Sequence, residues 1–368
     1  MTQEPRNELS PFYGELAVAV EEAGFDDFTL APVEDSPFYE TFLERARLGL
    51  FGGLKYLTES PQTRRSPKSV LASAQTIIIV ALSERRLCEE SRAATQALRD
   101  APALQPQNAS DAATGAISGY ASCLDYHEIV RKGLKKLLKF CASKRPQDES
   151  RAVVDTAPLL EKSWARKAGL GFCGLHTLIV HPRLGSRFFL GEALVSTPFE
   201  ELVGAASLDE FLIARARLQG RSTFDVEAAE RACEKCRRCV NACPTRALRG
   251  DRSLDVSRCL NYWTIESREE IPEDVASALG GRLFGCDLCQ RVCPWNEGAT
   301  SAPPWQASLD AVERLDDATF RKLFRKTPVF RARLEGLQRA ARALRRNAQK
   351  RDDDASGEET SKKKPGDR

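Results

Sequence analysis

The chain has 368 residues, enough for two or three domains with cores of their own. Its 55 basic and 52 acidic side chains nearly cancel, leaving a formal charge of +3 and no strong whole-molecule field. Hydrophobic residues make up 42% and charged residues 29%, as in an ordinary globular protein. The longest apolar runs, such as Thr76–Leu82, are strand-sized, which excludes a membrane span.

In chain order, Leu9–Ala23 carries apolar residues at helical spacing and ends at Gly24, and Pro37–Leu50 reads as a second amphipathic helix stopped by Gly52 and Gly53. The β-branched run Thr76–Leu82 (T-I-I-I-V-A-L) reads as a buried strand. Glu84–Ser118 is polar, Ala- and Ser-rich and irregular, and is expected to be a surface insertion. Tyr126–Ala142 is a strongly periodic basic helix. Asp125 sits where an N-cap is placed and where the helix dipole favours a negative charge. A short strand over Arg151–Val154, a helix over Leu159–Ala168 closed by Gly169, and strands over Leu175–His181 and Ser186–Ser196 follow. A cysteine-rich module comes next, then helical sequence from Leu309 to Asn347 broken at Pro328. Arg351–Arg368 is charged, lacks apolar anchors and is expected to be disordered. Positive charge gathers at Arg331, Arg333, Arg339, Arg342, Arg345, Arg346, Lys350 and Arg351. That run would suit a phosphate backbone, although a solvated helix face explains it more simply.

Gly169, Gly171 and Gly174 spell G-x-G-x-x-G, but a helix precedes them and a strand follows, the reverse of a dinucleotide site. They read instead as a glycine C-cap and a stretch whose backbone approaches something closely, a large ligand being one candidate. His127, one of three histidines, stands beside the acid Asp125 and the phenol Tyr126, a set suited to a proton relay. Asp155, in V-D-T-A-P at a strand end, is either a functional acid or a cap for the next helix. Cys88, Cys123, Cys141 and Cys173 have no partner at metal spacing and read as small core residues.

The other eight of the twelve cysteines fall in two runs. The first is C-E-K-C-R-R-C-V-N-A-C-P, from Cys233 to Pro244. The second opens with Cys259 and closes with C-D-L-C-Q-R-V-C-P, from Cys286 to Pro294. Three cysteines at two-residue gaps and a fourth before proline is the bacterial ferredoxin spacing, in which the fourth thiolate ligates the other cluster. The expected ligands are Cys233, Cys236, Cys239 and Cys293 for one [4Fe–4S] cluster. Cys243, Cys259, Cys286 and Cys289 are expected to hold the second. A zinc ribbon would explain neither the triplet nor the two Cys-Pro pairs. Disulfides are disfavoured, since nothing at the N-terminus resembles a signal peptide and a cytoplasmic location is expected.

With the cysteine runs, the segments G-Y-A-S-C-L-D-Y-H (Gly119–His127), V-D-T-A-P-L-L-E-K (Val154–Lys162), A-G-L-G-F-C-G-L-H (Ala168–His176), S-R-F-F-L-G-E (Ser186–Glu192) and F-R-K-T-P (Phe324–Pro328) resemble the epoxyqueuosine reductase family. The resemblance implies an α+β fold: a nitroreductase-like cobalamin-binding domain over residues 1–205, a two-cluster ferredoxin-like module over 206–300, helices over 301–350 and a disordered tail. It implies reduction of epoxyqueuosine in tRNA, with cobalamin and two [4Fe–4S] clusters as cofactors. Asp155 would be the proton donor, its pKa raised by burial, with His127 and Tyr126 beside the substrate. Gly169, Gly171, Gly174, His176 and Ser186 would contact the cofactor. The implied partners are a tRNA anticodon stem-loop and an external flavodoxin- or ferredoxin-type reductant, with no membrane and a monomeric state. Two positions depart from the family pattern: Leu175 stands where Lys is usual and Gly119 where Arg is usual. The competing expectations are a dehalogenase-like corrinoid reductase of another substrate and a non-catalytic ferredoxin-type electron carrier.

Overall fold

A computed structural model describes residues 8–106, 113–299 and 302–361. Nine strands occur among the described residues: β1 (Asp27–Pro32), β2 (Thr76–Ser83), β3 (Thr114–Ile117), β4 (Ser150–Val153), β5 (Phe172–Cys173), β6 (Ile179–Val180), β7 (Phe188–Val195), β8 (Arg282–Phe284) and β9 (Trp305–Ser308). Strands and helices are mixed throughout, the α+β arrangement expected from the sequence. The chain forms two compact units. The first comprises Met1–Glu90, Asp125–Ser257 and Leu288–Ser301; the second comprises Ser91–Leu124, Arg258–Asp287 and Ala302–Arg368.

The first unit is built on an antiparallel sheet of order β1-β2-β7-β4. Every residue of β2 is buried, as its run of Ile and Val demands of a central strand covered on both faces. The helix Tyr126–Lys144 turns Val130, Gly133, Leu134, Leu137 and Cys141 inward at three- and four-residue steps. It lies close on β7 because Gly191 has no side chain: a Cβ there would stand 2.4 Å from Val130 Cγ1. One apolar core includes Ile77, Ile79, Val153, Leu159, Trp164 and Leu194.

In the second unit β3 pairs parallel with β8 and antiparallel with β9. Its core gathers Leu104, Ile117, Leu260, Phe284, Trp305 and Leu337. Half of the cationic C-terminal run is engaged within this unit. Arg331 pairs with Glu266, Arg345 with Asp310, and Lys350 with Glu273. Arg339 is buried and donates to the carbonyls of Trp263 and Ser267 at 3.2 and 2.6 Å.

Several expectations change. Glu84–Ser118 is not an irregular insertion: Glu84–Arg99 is helical and Thr114–Ile117 is a sheet strand. Only Glu84, Leu87, Ser91 and Leu98 are buried along that helix, so its polar composition concealed it. Residues 107–112 lie outside the described residues. The division expected at residues 205 and 300 is replaced by two units that share the chain in alternating stretches, because β3, β8 and β9 are far apart in sequence and pair in one sheet. The C-terminal helix runs Arg333–Ser361, so the first part of the tail expected to be disordered is helical; residues 362–368 lie outside the described residues. The strand expected over Leu175–His181 shrinks to β6, since residues 174–178 form a turn closed by the Gly174 N–H to the Leu178 carbonyl.

Candidate active site and cysteine shell

Asp155 follows β4 in a left-handed turn, with φ of 47°. Asp is among the few non-glycine residues that tolerate this region. Its Oδ2 accepts from the Tyr126 hydroxyl at 3.2 Å and lies 3.1 Å from His127 Nε2. On the other edge of the imidazole, Nδ1 lies 2.7 Å from Asp125 Oδ1, which also accepts the His127 backbone N–H. Asp125 is thus the N-cap anticipated and a ring partner as well. Tyr126 stacks between His127 and Phe189, with centroid distances of 4.1 and 4.2 Å, which fixes the plane of its hydroxyl.

The electrostatics differ from the expectation. Burial works against a charge on His127, but hydrogen bonds to Asp125 and Asp155 outweigh it and push the imidazole up to about 9. The same imidazolium, ahead of the opposing effect of burial, holds Asp155 below the usual carboxylate range. For Asp125 burial opposes ionisation, and the His127 hydrogen bond overcomes it. The Asp155 side chain is 57% exposed, and the burial it does have is outweighed by the imidazolium. At neutral pH the proton resides on His127 between two carboxylates.

Two acids not singled out from the sequence stand behind this relay. Glu161, at the start of the helix Glu161–Lys167, accepts the Asp155 backbone N–H at 2.6 Å. Burial, reinforced by the charge of Asp155, pushes its carboxyl up to about 7. Glu192, in the middle of β7 between Ile79 and Val153, is fully buried. Its carboxyl has no hydrogen-bond partner among the described residues except that of Glu161, a bond that exists only when one of the two is protonated. Burial and the Glu161 charge raise its pKa well above the ordinary value. Arg64, buried and donating to the Tyr56 carbonyl at 3.0 Å, lies within electrostatic reach of Glu161 and Asp155. A lone acid in the apolar run F-F-L-G-E-A-L-V is the signal that would have found Glu192.

An open cavity of about 660 Å³ borders the Asp155 turn. Val153, Val154, Thr156 and Pro158 line one side, and Arg131, Lys135 and Arg151 contribute cationic groups.

The cysteine shell is apolar by contrast. Arg237, at φ 51°, turns the chain from the helix Val226–Cys236 into Arg238–Ala242. Cys233, Cys239, Cys243 and Cys289 then meet around Leu175 and Leu248. Burial, then the proximity of Cys233 and Cys293, pushes the Cys239 thiol up to about 11. Burial likewise raises Cys293, and Cys233 and Cys236 add to it. The four thiols predicted to share the first cluster therefore act on one another within one unit. The Leu175 N–H points at Cys233 Sγ, 3.4 Å away. Cys259 and Cys286 belong to the second unit.

Ser186 serves this shell. Its N–H donates to Asn296 Oδ1 at 2.7 Å, its Oγ accepts from Asn296 Nδ2 at 3.0 Å, and its carbonyl accepts from Gln290 Nε2 at 2.8 Å. These bonds seat the segment carrying Cys289 and Cys293. The close approaches of the glycines are likewise to the chain itself. Gly169 caps its helix at φ 66°, a Cβ on Gly171 would stand 2.3 Å from the Val180 carbonyl, and one on Gly174 would meet the His176 ring. His176 is buried; burial and then Lys162 lower it to about 4, and its Nε2 has no partner among the described residues. Both departures from the family pattern are filled by packing. Leu175 is fully buried among the cysteines, and a Cβ on Gly119 would stand 1.8 Å from the Ala302 carbonyl oxygen, leaving no room for Arg.

The family model described as a 4Fe-4S double cluster binding domain matches residues 232–296. With the α+β scaffold and its acid–histidine relay, this defines an iron–sulfur oxidoreductase. The model described as epoxyqueuosine reductase QueG, DUF1730, matches residues 64–156. An epoxyqueuosine reductase of Pseudomonas aeruginosa is 32% identical over 304 residues, covering 82% of this chain and 73% of its own. The chain belongs to the epoxyqueuosine reductase family. The epoxyqueuosine reductase of Streptococcus thermophilus shares its fold, with a TM-score of 0.71 at 24% identity over 91% of this chain and 80% of the other. So does an epoxyqueuosine reductase crystallised with a tRNA-Tyr epoxyqueuosine-modified stem loop, with the same TM-score, identity and coverage.

Proposed function

We propose that this protein reduces epoxyqueuosine to queuosine at the wobble position of a tRNA anticodon. The balance is one epoxide, two electrons and two protons giving one alkene and one water. Two [4Fe–4S] clusters supply the electrons singly, and bound cobalamin supplies the low-valent metal that makes the reductive cleavage accessible. Cys233, Cys236, Cys239 and Cys293 would hold the first cluster; Cys243, Cys259, Cys286 and Cys289 complete the count of eight for the second. Arg64 Nε, Trp164 Nε1 and His176 Nε2 are buried donors without partners among the described residues.

The observation that carries the reading is the convergence of Tyr126 and His127 on Asp155, in a turn whose flanking residues Val154 and Thr156 line an open cavity. Tyr126 orients the carboxylate by donating to it. Asp125 keeps His127 charged, and the imidazolium holds its proton at Nε2 against Asp155 Oδ2. As negative charge develops on the substrate oxygen, Asp155 delivers that proton and is recharged from His127. The acid is therefore a pair, and the lone, burial-raised Asp155 expected from the sequence is replaced by it. Arg131, Lys135 and Arg151 supply charge suited to the phosphates flanking the target nucleotide. An external one-electron donor of the flavodoxin or ferredoxin class would reach the clusters past the exposed Cys236, and the protein would act as a monomer in the cytoplasm. Among the described residues no helix is long and apolar enough to cross a membrane.

Mass spectrometry of tRNA nucleosides from cells lacking the protein tests the reading. Epoxyqueuosine is expected to accumulate and queuosine to vanish; an unchanged nucleoside profile would overturn it.

A further inference from the structure

We propose that Glu161 is the positioning residue for Asp155, holding its backbone in the left-handed turn through the Asp155 N–H, with Glu192 behind it as the group that sets how well Glu161 accepts. The proposal rests on the reading of Asp155 as the acid that faces the substrate. Asp155 lies in a conformation that L-residues seldom adopt, on a segment after β4 with its side chain largely in solvent. Its side-chain partners, Tyr126 and His127, fix the carboxylate. The backbone is fixed from the other side by the 2.6 Å bond to Glu161 Oε1, and the Thr156 N–H closes onto the Val154 carbonyl across the turn. Glu161 is the first residue of a helix whose Trp164 and Ala165 are fully buried, so the latch is mounted on a rigid element.

Glu192 has no evident structural use. It occupies the centre of a buried strand, where an apolar residue would pack without penalty, and Glu161 is the one polar side chain among the described residues available to its buried carboxyl. Two carboxyls in contact away from water retain a proton between them. With that proton on Glu192, its hydroxyl donates to Glu161, and Glu161 remains the anionic, stronger acceptor for the Asp155 N–H. Around Glu161 stand Asp155, Glu192, Lys162 and Arg64, and Asp155 in turn faces His127 and Tyr126. Since Glu161 is pushed up to about 7, the latch is tighter above that pH and slackens as pH falls through it.

Hydrogen–deuterium exchange of the peptide spanning residues 153–158, corrected for intrinsic rates, reads the latch without reference to turnover. Glu161→Ala should raise exchange of this peptide several-fold while peptides from β2 and β7 are unchanged. Glu161→Gln keeps an acceptor and should keep protection, but without the wild-type decline between pH 8 and pH 6. Glu192→Gln still donates to Glu161 and should likewise flatten the pH dependence. Wild-type protection in Glu161→Ala, or a wild-type pH dependence in Glu161→Gln, would overturn the proposal. If Asp155→Asn keeps full turnover while the exchange results hold, the latch stands and the catalytic reading of Asp155 falls.

Discussion

The relay at Asp155 and the shell around Cys239 treat ionisable groups in opposite ways. In the relay, charges of both signs touch: one imidazolium is clasped by two carboxylates, so all three stay ionised in the neutral range although His127 is three-quarters buried. In the shell, thiols crowd against Leu175, Leu248 and one another, and burial, the leading influence on Cys233, Cys239 and Cys293, makes these three resist losing their protons. A self-neutralising site can idle in its working state before substrate arrives. An apolar nest of thiols becomes anionic only when iron brings the compensating charge. One region stores a proton, and the other stores demand for a metal.

The harshest way to break this contrast is to remove a thiolate. Cys293→Ser takes the fourth ligand from the first set, and iron per chain should fall from ~8 toward ~4, with loss of turnover, by iron assay and electron paramagnetic resonance. Asp155→Asn touches only the relay: kcat should fall by about 100- to 10,000-fold with iron content unchanged, by single-turnover assay on a modified stem-loop. The pH axis sharpens the comparison. His127 is raised, so its contribution to stability is complete below its unfolded value near 6.5 and is lost as pH rises through about 9. Asp125 and Asp155 are lowered, so theirs is present above 3.8 and is lost as pH falls below it. The pH–rate profile should fall above pH 9, and His127→Gln should erase that limb. The mildest test is Ser186→Ala, which leaves Asn296 short of a partner and should cost about 1–3 kcal/mol. Faster iron release on heating, without a change in kcat for fully loaded protein, is the expected result.

The cysteine spacing made the cluster module legible because ligand geometry imposes short, fixed gaps on the sequence. Asp125, Tyr126, His127 and Asp155 were legible as candidates, yet their electrostatics were not. The sign of the Asp155 shift depends on His127, 28 residues away in the chain and 3.1 Å away in space. Glu192 has a local signal, a lone acid in an apolar run, whereas Glu161 has none, since nothing local distinguishes a helix-opening acid on the surface from one facing a buried strand. The two-unit organisation was illegible for a similar reason. The sheet of β3, β8 and β9 is assembled from three short strands of three or four residues each, too brief to announce themselves by periodicity. The glycines misled in one respect: their closeness to something was readable, but whether that was a ligand or the chain's own β5–β6 hairpin was not.

The positive φ at position 155 also limits which residues can stand there. A left-handed backbone admits glycine, asparagine and aspartate readily and penalises longer or branched side chains. Glutamate, the usual chemical substitute for aspartate, would have to distort the turn before it could offer its carboxylate. Asparagine keeps the turn and loses the acid, so Asp155→Asn separates chemistry from shape, whereas Asp155→Glu confounds them. The backbone thereby restricts this site to one carboxylic acid of the two available.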